Sequence, residues 1–293
     1  MLHTLDRVKE ILVGVMSFQT FGADAPGEES CQYGASRLQC RGPARQFDTP
    51  YMVAMGDSET FGKFVKYPFA SLLEKSIGMP CVNLGSPNSG LDALLQDPDL
   101  IRIAKQADLA IIQAMGAQNL TNRFFRVHPR RNDRFLEPTP VLAELFPEVD
   151  FTDFAFTNHM MHSLQQVSPR RFSLISHELK QAWVSRMHLL LRQFARRPIL
   201  LWLRYETVSG FGEATHNPFL VDEAMVAELK PHLRQVVEIS VQPASEAQEM
   251  NAMIFATAEQ EAAANMIGQA THHRIAKELR RVLMPGAQRK RPA

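Results

Sequence analysis

Three cysteines in 293 residues, Cys31, Cys40 and Cys81, are too sparse and too odd in number for a disulfide framework. Cys31 and Cys40 could pair if the protein were exported. No Cys-x-x-Cys and no Cys/His cluster has the spacing of a zinc site, so no metal is expected. No window approaches about eighteen uninterrupted apolar residues, which excludes a membrane-spanning helix. Charge of one sign is also lacking. The formal net charge is +1, so nothing pulls the chain as a whole toward nucleic acid or a membrane surface. There is no P-loop and no Gly-x-Gly-x-x-Gly, and no cofactor is expected. Internal repeats and low-complexity tracts are absent as well.

What is present is a hydrophobic content of 45%, enough for one large α/β domain or one domain with an insertion. Near the start, "ILVGVMSF" is a short apolar run followed by "ADA". The preceding "MLHTLDRVKE" mixes Asp6 and Glu10 with Arg7 and Lys9, unlike the basic start of a signal peptide. A cytoplasmic protein is therefore expected ahead of a periplasmic one. Met16 is a plausible alternative start, residues 1–15 are expected to lie outside the fold, and an N-terminal truncation to Met16 should stay soluble.

Residues 1–50 read as an irregular lead-in, rich in Gly, Pro, Ser and charge from 17 onward. A rhythm follows. "YMVAMG" (51–56), "PCVNLG" (80–85) and "LAIIQAMG" (109–116) are apolar strand candidates. Helical patterns lie between them at 68–78 and 90–107, the second broken or restarted at Pro98. Apolar residues on both faces of the third strand suit a parallel sheet. Beyond 170 the rhythm resumes with a long helix (170–197), a strand (198–205), a helix (218–233), a strand (235–242) and a terminal helix (271–283). A basic tail closes the chain at 284–293. The spacing predicts a single domain over 51–283, a three-layer α/β/α fold on a five-stranded parallel sheet. Residues 117–170 break the rhythm with aromatic and charged sequence. They are too long for a simple loop and are expected to form an insertion with its own short helices after the third strand.

In such sheets ligands collect at the carboxyl ends of the strands. Gly56-Asp57-Ser58-Glu59-Thr60-Phe61-Gly62 follows the first strand, "NLGSPNSG" (83–90) the second and Gly116-Ala117-Gln118-Asn119 the third, while His272 and His273 open the last helix. Together these supply a hydroxyl nucleophile, a base of near-neutral pKa, and N–H donors for an oxyanion. Each also has a plainer reading. Ser58 and Asp57 suit a helix cap or turn; Gly90 suits a turn or helix entry; Asn119 can cap the next segment; His272 can be a helix residue with no task.

Gly56-Asp57-Ser58-x-Thr60-x-Gly62 resembles the first block of the SGNH, or GDSL-like, hydrolases, which are α/β/α serine esterases and carbohydrate deacetylases. The resemblance implies Ser58 as nucleophile, Gly90 (or Gly85) and Asn119 (or Gln118) as oxyanion donors, and His272 as base, with His273 a lesser candidate. It departs at the last block. Where the family has Asp three residues before its histidine, Gln269 precedes His272 and Ala270 precedes His273. A glutamine carbonyl can orient a histidine ring but cannot stabilise an imidazolium as a carboxylate does, and an Asp→Asn change in a serine-protease triad costs about 10⁴ in turnover. Glu259 and Glu261 are other carboxylates within reach in sequence. More narrowly, "CQYGASRLQCRGP", "MGAQNLTNRFF", "VHPRRNDRF" and "VDFT" resemble a bacterial family with an SGNH-like core, a likeness that brings no activity with it.

Arg123, Arg126, His128, Arg130, Arg131 and Arg134 fall close together after the third strand. They read as a solvated face with Asp133 and Glu137 as partners, or as an anion pocket in which Arg123, Arg126, Arg130 and Arg131 bind substrate. His159 and His162 share one helix face without a carboxylate to complete a metal set and read as packing or surface residues. Two functions follow. One is a serine hydrolase or acyl/acetyl transferase acting on a small ester or acetylated carbohydrate, anionic if the arginines face the site. The other is a catalytically degraded module binding an anionic glycan or nucleotide-like ligand through the arginine-rich insertion. Neither involves nucleic acid as a partner, and the oligomeric state is not legible.

Overall fold

The computed structural model describes residues 30–206 and 218–285. The chain enters through a two-residue antiparallel pair, β1 (Ser30–Cys31) and β2 (Cys40–Arg41). Strand β3 (Met52–Gly56) runs into one helical turn, α1 (Ser58–Phe61), and then α2 (Phe69–Ile77). Strand β4 (Cys81–Gly85) is followed by α3 (Leu91–Leu95) and α4 (Pro98–Gln106), and β5 (Leu109–Gln113) comes next. The insertion holds β6 (Phe125–Val127), β7 (Phe135–Pro138), α5 (Pro140–Leu145) and α6 (Thr157–Val167). After it come α7 (Pro169–Leu191), β8 (Ile199–Tyr205), α8 (Glu223–Leu229), β9 (Gln235–Val241), α9 (Gln260–Ala264) and α10 (Gln269–Leu283).

Strands β3, β4, β5, β8 and β9 form one parallel sheet in the order β4-β3-β5-β8-β9. Side chains alternate between its faces. Val53, Met55, Val82, Leu84, Ile112 and Leu200 pack under α3, α4 and α7. Met52, Ala54, Ile111 and Leu201 pack under α2 and α10 through Phe69, Leu73, Ile275 and Leu279. The result is the expected three-layer α/β/α arrangement. It explains why the strands read as continuous apolar runs: both faces are dry.

The break at Pro98 is a cap. Asp97 Oδ1 accepts the Leu100 N–H at 3.0 Å, and Pro98 fills the first helical position, where no N–H is needed. Ser168 and Pro169 start α7 in the same way. In two places there is more structure than the sequence suggested. The lead-in contains the β1–β2 pair. The insertion contains, besides its helices, the β6–β7 hairpin, whose short strands bury Phe125, Val127 and Phe135. Strands of three and four residues leave too little alternation to be read from a sequence.

An ion pair at the buried Asp92 fixes the loop after β5. Asp92, 4% exposed, accepts the Thr121 N–H through Oδ2 at 2.8 Å and Arg186 Nε through Oδ1 at 2.9 Å. It joins α3, α7 and the loop. Asp92→Ala should cost about 2–4 kcal/mol, since a buried N–H and a half-buried guanidinium lose their acceptor. Urea unfolding of the variant against wild type measures this.

Candidate functional site

The end of β3 is buried, and its polar groups need partners. The amide of Gln113, the last residue of β5, supplies most of them. Its Oε1 accepts the Thr60 hydroxyl at 2.6 Å and the Asp57 N–H at 3.3 Å; its Nε2 donates to Asp57 Oδ1 at 2.8 Å. Asp57 Oδ1 also accepts the Glu59 N–H at 3.1 Å and so caps α1. Burial pushes the Asp57 carboxyl up, against the pull of these donors. Gly56 is required here: a Cβ would lie 2.2 Å from Thr60 Oγ1 and 2.4 Å from Gln113 Oε1.

The turn is held from below and from the side. Asn83 Nδ2 donates to the Thr60 carbonyl at 2.8 Å while Asn83 Oδ1 accepts the Gly85 N–H at 2.9 Å. A Cβ on Gly85 would meet the Phe61 backbone nitrogen at 2.3 Å, so α1 rests directly on the end of β4. Arg41, 5% exposed, lies over the Phe61 ring and donates to the carbonyls of Gly62 at 2.7 Å and Val65 at 3.1 Å.

Ser58 begins α1, and its Oγ accepts the Asn88 N–H at 3.0 Å. Asn88 adopts φ 59°, in the left-handed region that asparagine tolerates better than most residues. Two residues on, Gly90 packs against the Asn119 carbonyl and the Asn132 side chain. The Asn119 Oδ1 accepts the Thr157 hydroxyl at 2.7 Å. Gln118, 8% exposed, holds its Oε1 over Gly116 without a partner. The three loops expected to meet at the carboxyl edge do adjoin: Ser58 contacts the loop of Asn88 and Gly90, and that loop contacts Asn119.

His272 is held from the side of α2. It is the fourth residue of α10, 1% exposed, stacked on Phe69 at 6.1 Å between centroids. Its Nδ1 accepts the Phe69 N–H at 3.1 Å. Burial pulls its pKa down to about 3, and Arg41 and His273 act in the same direction. Among the described residues no hydrogen bond joins it to Ser58. Gln269 does not orient the ring either. Its amide accepts the Tyr67 N–H at 3.0 Å and donates to the Tyr67 carbonyl at 2.8 Å. Glu259 is taken by Lys63 at 2.8 Å.

The arginines divide. Arg123 and Arg126 are exposed and face Glu178 at 3.7 Å and Glu137 at 3.3 Å. Arg130 is exposed, and Arg131 lies 3.7 Å from Asp133. The turn carrying Arg130 and Arg131 is anchored next to Gly90. Asn132, fully buried, accepts the Ala93 N–H at 3.0 Å and donates to the His128 carbonyl at 2.9 Å. Asp133 is pushed up to about 6 by burial, with Arg131 and Arg134 pulling the other way. His159 packs edge-on against Phe154, and His162 against Phe219. Among the described residues no group of three or more His, Cys, Asp or Glu side chains could hold a metal ion, and no helix is long and apolar enough to cross a membrane.

A family model described as a domain of unknown function (DUF6473) matches residues 16–287. The chain belongs to that family. A search of curated proteins found no match. Among solved structures the chain is similar to a Lactobacillus plantarum protein from a structural-genomics programme, at 15% identity and a TM-score of 0.34, over 82% of this chain and 99% of that one. It is also similar to a carbohydrate esterase family 2 enzyme with a carbohydrate-binding domain from Corynascus thermopiles (Myceliophthora fergusii). That match has 12% identity and a TM-score of 0.41, over 84% of this chain and 68% of that one.

The groups that hold this edge together are Gln113, Arg41, Asn88 and Glu59. Only Gln113 leaves a local signal, a polar residue ending an apolar strand. Glu59, 9% exposed, accepts the Tyr205 hydroxyl through Oε1 and the Ile267 N–H through Oε2 at 3.4 Å. Burial raises its pKa to about 8, Asp57 adding to the rise while Tyr205 opposes it. A carboxyl raised from about 4.3 in the unfolded chain binds more protons when folded. Its stabilising contribution is complete below that value and is lost as pH rises toward 8. Glu59→Gln should therefore gain stability relative to wild type between pH 5 and 8, measured as the difference in urea midpoint at the two pH values. A constant difference would contradict the shift.

Proposed function

We propose that the carboxyl edge of this sheet is an SGNH-like ligand site without a working base, which binds an anionic glycan or nucleotide-like ligand. The observation that carries this reading is the placement of His272. A general base must come within hydrogen-bond reach of the proton it takes. This ring is buried with one nitrogen committed to Phe69, and the low pKa that burial imposes makes it a weak proton acceptor. Ser58 without a base is a hydroxyl that donates and accepts hydrogen bonds, suited to a sugar. The Arg130–Arg131 turn beside Gly90 supplies guanidinium groups for a carboxylate, sulfate or phosphate on the ligand.

A second reading is favoured by the contact at Ser58 itself. The Asn88 N–H on Oγ stabilises a developing alkoxide more than a neutral hydroxyl. In that reading Ser58 attacks a small ester or acetylated carbohydrate, His272 acts as base, and the Gly90 N–H and Asn119 amide bind the oxyanion, giving a hydrolase or an acyl/acetyl transferase. The enzyme would require the His272 ring at Ser58.

A fluorophosphonate probe separates the two. We expect no stoichiometric labelling of Ser58, an equal slow rate on an activated acetyl ester for wild type and Ser58→Ala, and binding of oligogalacturonate that weakens about tenfold in Arg131→Gln. Full labelling that Ser58→Ala abolishes would replace the binding reading with the enzymatic one.

A further inference from the structure

Strands β1 and β2 are only two residues long, yet their register sets Cys31 directly opposite Cys40. Directly opposed residues of an antiparallel pair have Cα atoms about 4.5–5.5 Å apart and side chains on the same face. Disulfides span Cα separations of about 4.4–6.8 Å. Both thiols are free, and so is Cys81, which lies in β4. Cys31 is partly exposed and Cys40 is fully buried. The next residue after Cys40 is Arg41, whose guanidinium holds the Gly62 and Val65 carbonyls behind the Ser58 turn.

We propose that Cys31 and Cys40 form a reversible dithiol–disulfide pair, a redox clasp that fixes the strand carrying Arg41 under the Ser58 turn. The partner in the exchange is a low-molecular-weight disulfide. The Cys31 thiolate, the accessible one, attacks it, forming a mixed disulfide and releasing one thiol. Cys40 then loses its proton and attacks the Cys31 sulfur, and the second thiol leaves. Two protein thiols are oxidised and one small disulfide is reduced to two thiols. Cys40 needs no access to solvent, because its target is the residue across the strand.

Two features set the rate. Burial raises the thiol pKa of both cysteines, and the nearby Cys31 sulfur raises that of Cys40 further. The thiolate is the attacking species, so exchange is slow at neutral pH and accelerates with alkalinity. The pair thus answers to a sustained shift of the thiol pool rather than to a brief oxidant pulse.

The full chain is equilibrated with oxidised glutathione at pH 8.5, then denatured, titrated for thiols and mapped by peptide mass. We expect one remaining thiol, at Cys81, a Cys31–Cys40 crosslinked peptide, and recovery of three thiols with dithiothreitol. Cys31→Ser should retain both of its thiols without a crosslink. Three thiols after equilibration, a glutathione adduct that never resolves, or a crosslink to Cys81 would overturn the pair. The clasp is read separately, by amide exchange in the native protein. Gly62 and Val65 should exchange more slowly in the disulfide form than in the dithiol form, and equal rates would overturn it.

Discussion

The amide of Gln113 ties the carboxyl edge together. It ends a strand that is buried on both faces, and it reaches across to the neighbouring strand to satisfy Asp57 and Thr60 at once. A buried strand cannot turn without finding partners for its freed polar groups. Here the partner is a single side chain with both a donor and an acceptor. The glycine at 56 follows from it, since any Cβ would occupy the space through which that hydrogen bond runs. The position of Ser58 follows in turn, because the cap made by Asp57 and the contact of α1 with Gly85 leave the turn one place to sit.

Beneath this edge lie groups that are chemically active in isolation and structurally occupied in the protein. Arg41 holds two carbonyls, Glu59 is closed by Tyr205 and Ile267, and His272 accepts from Phe69. A buried polar group left unpaired is expensive. Each of these pairings therefore resists being opened to serve a reaction. This is the physical basis for reading the edge as a place where a ligand is held.

The sequence made the sheet legible because parallel strands buried on both sides are written as continuous apolar runs, and because Asp97-Pro98 and Ser168-Pro169 mark helix starts with local chemistry. The meeting of the Ser58, Gly90 and Asn119 loops was legible for the same reason: parallel strands bring their carboxyl ends to one edge. Which way His272 points was also written there, in a pattern easy to pass over. His272, Ile275, Ala276 and Leu279 share the helical spacing of one buried stripe. A histidine on that stripe faces the core. The contacts of Arg41 and Asn88 had no such mark. They join positions far apart in the chain, and only the closed fold sets their distance.

The account rests on His272 being a neutral core residue. The most direct measurement is a pH titration of its imidazole by two-dimensional NMR, with Ser58→Ala as a control and the assignment made by His272→Gln. The account predicts a neutral ring from pH 8 down to about pH 4, close to the depressed value that burial imposes, and no change in Ser58→Ala. An ordinary titration between pH 6 and 7 that moves when Ser58 is removed would contradict it, and would put the histidine at the serine.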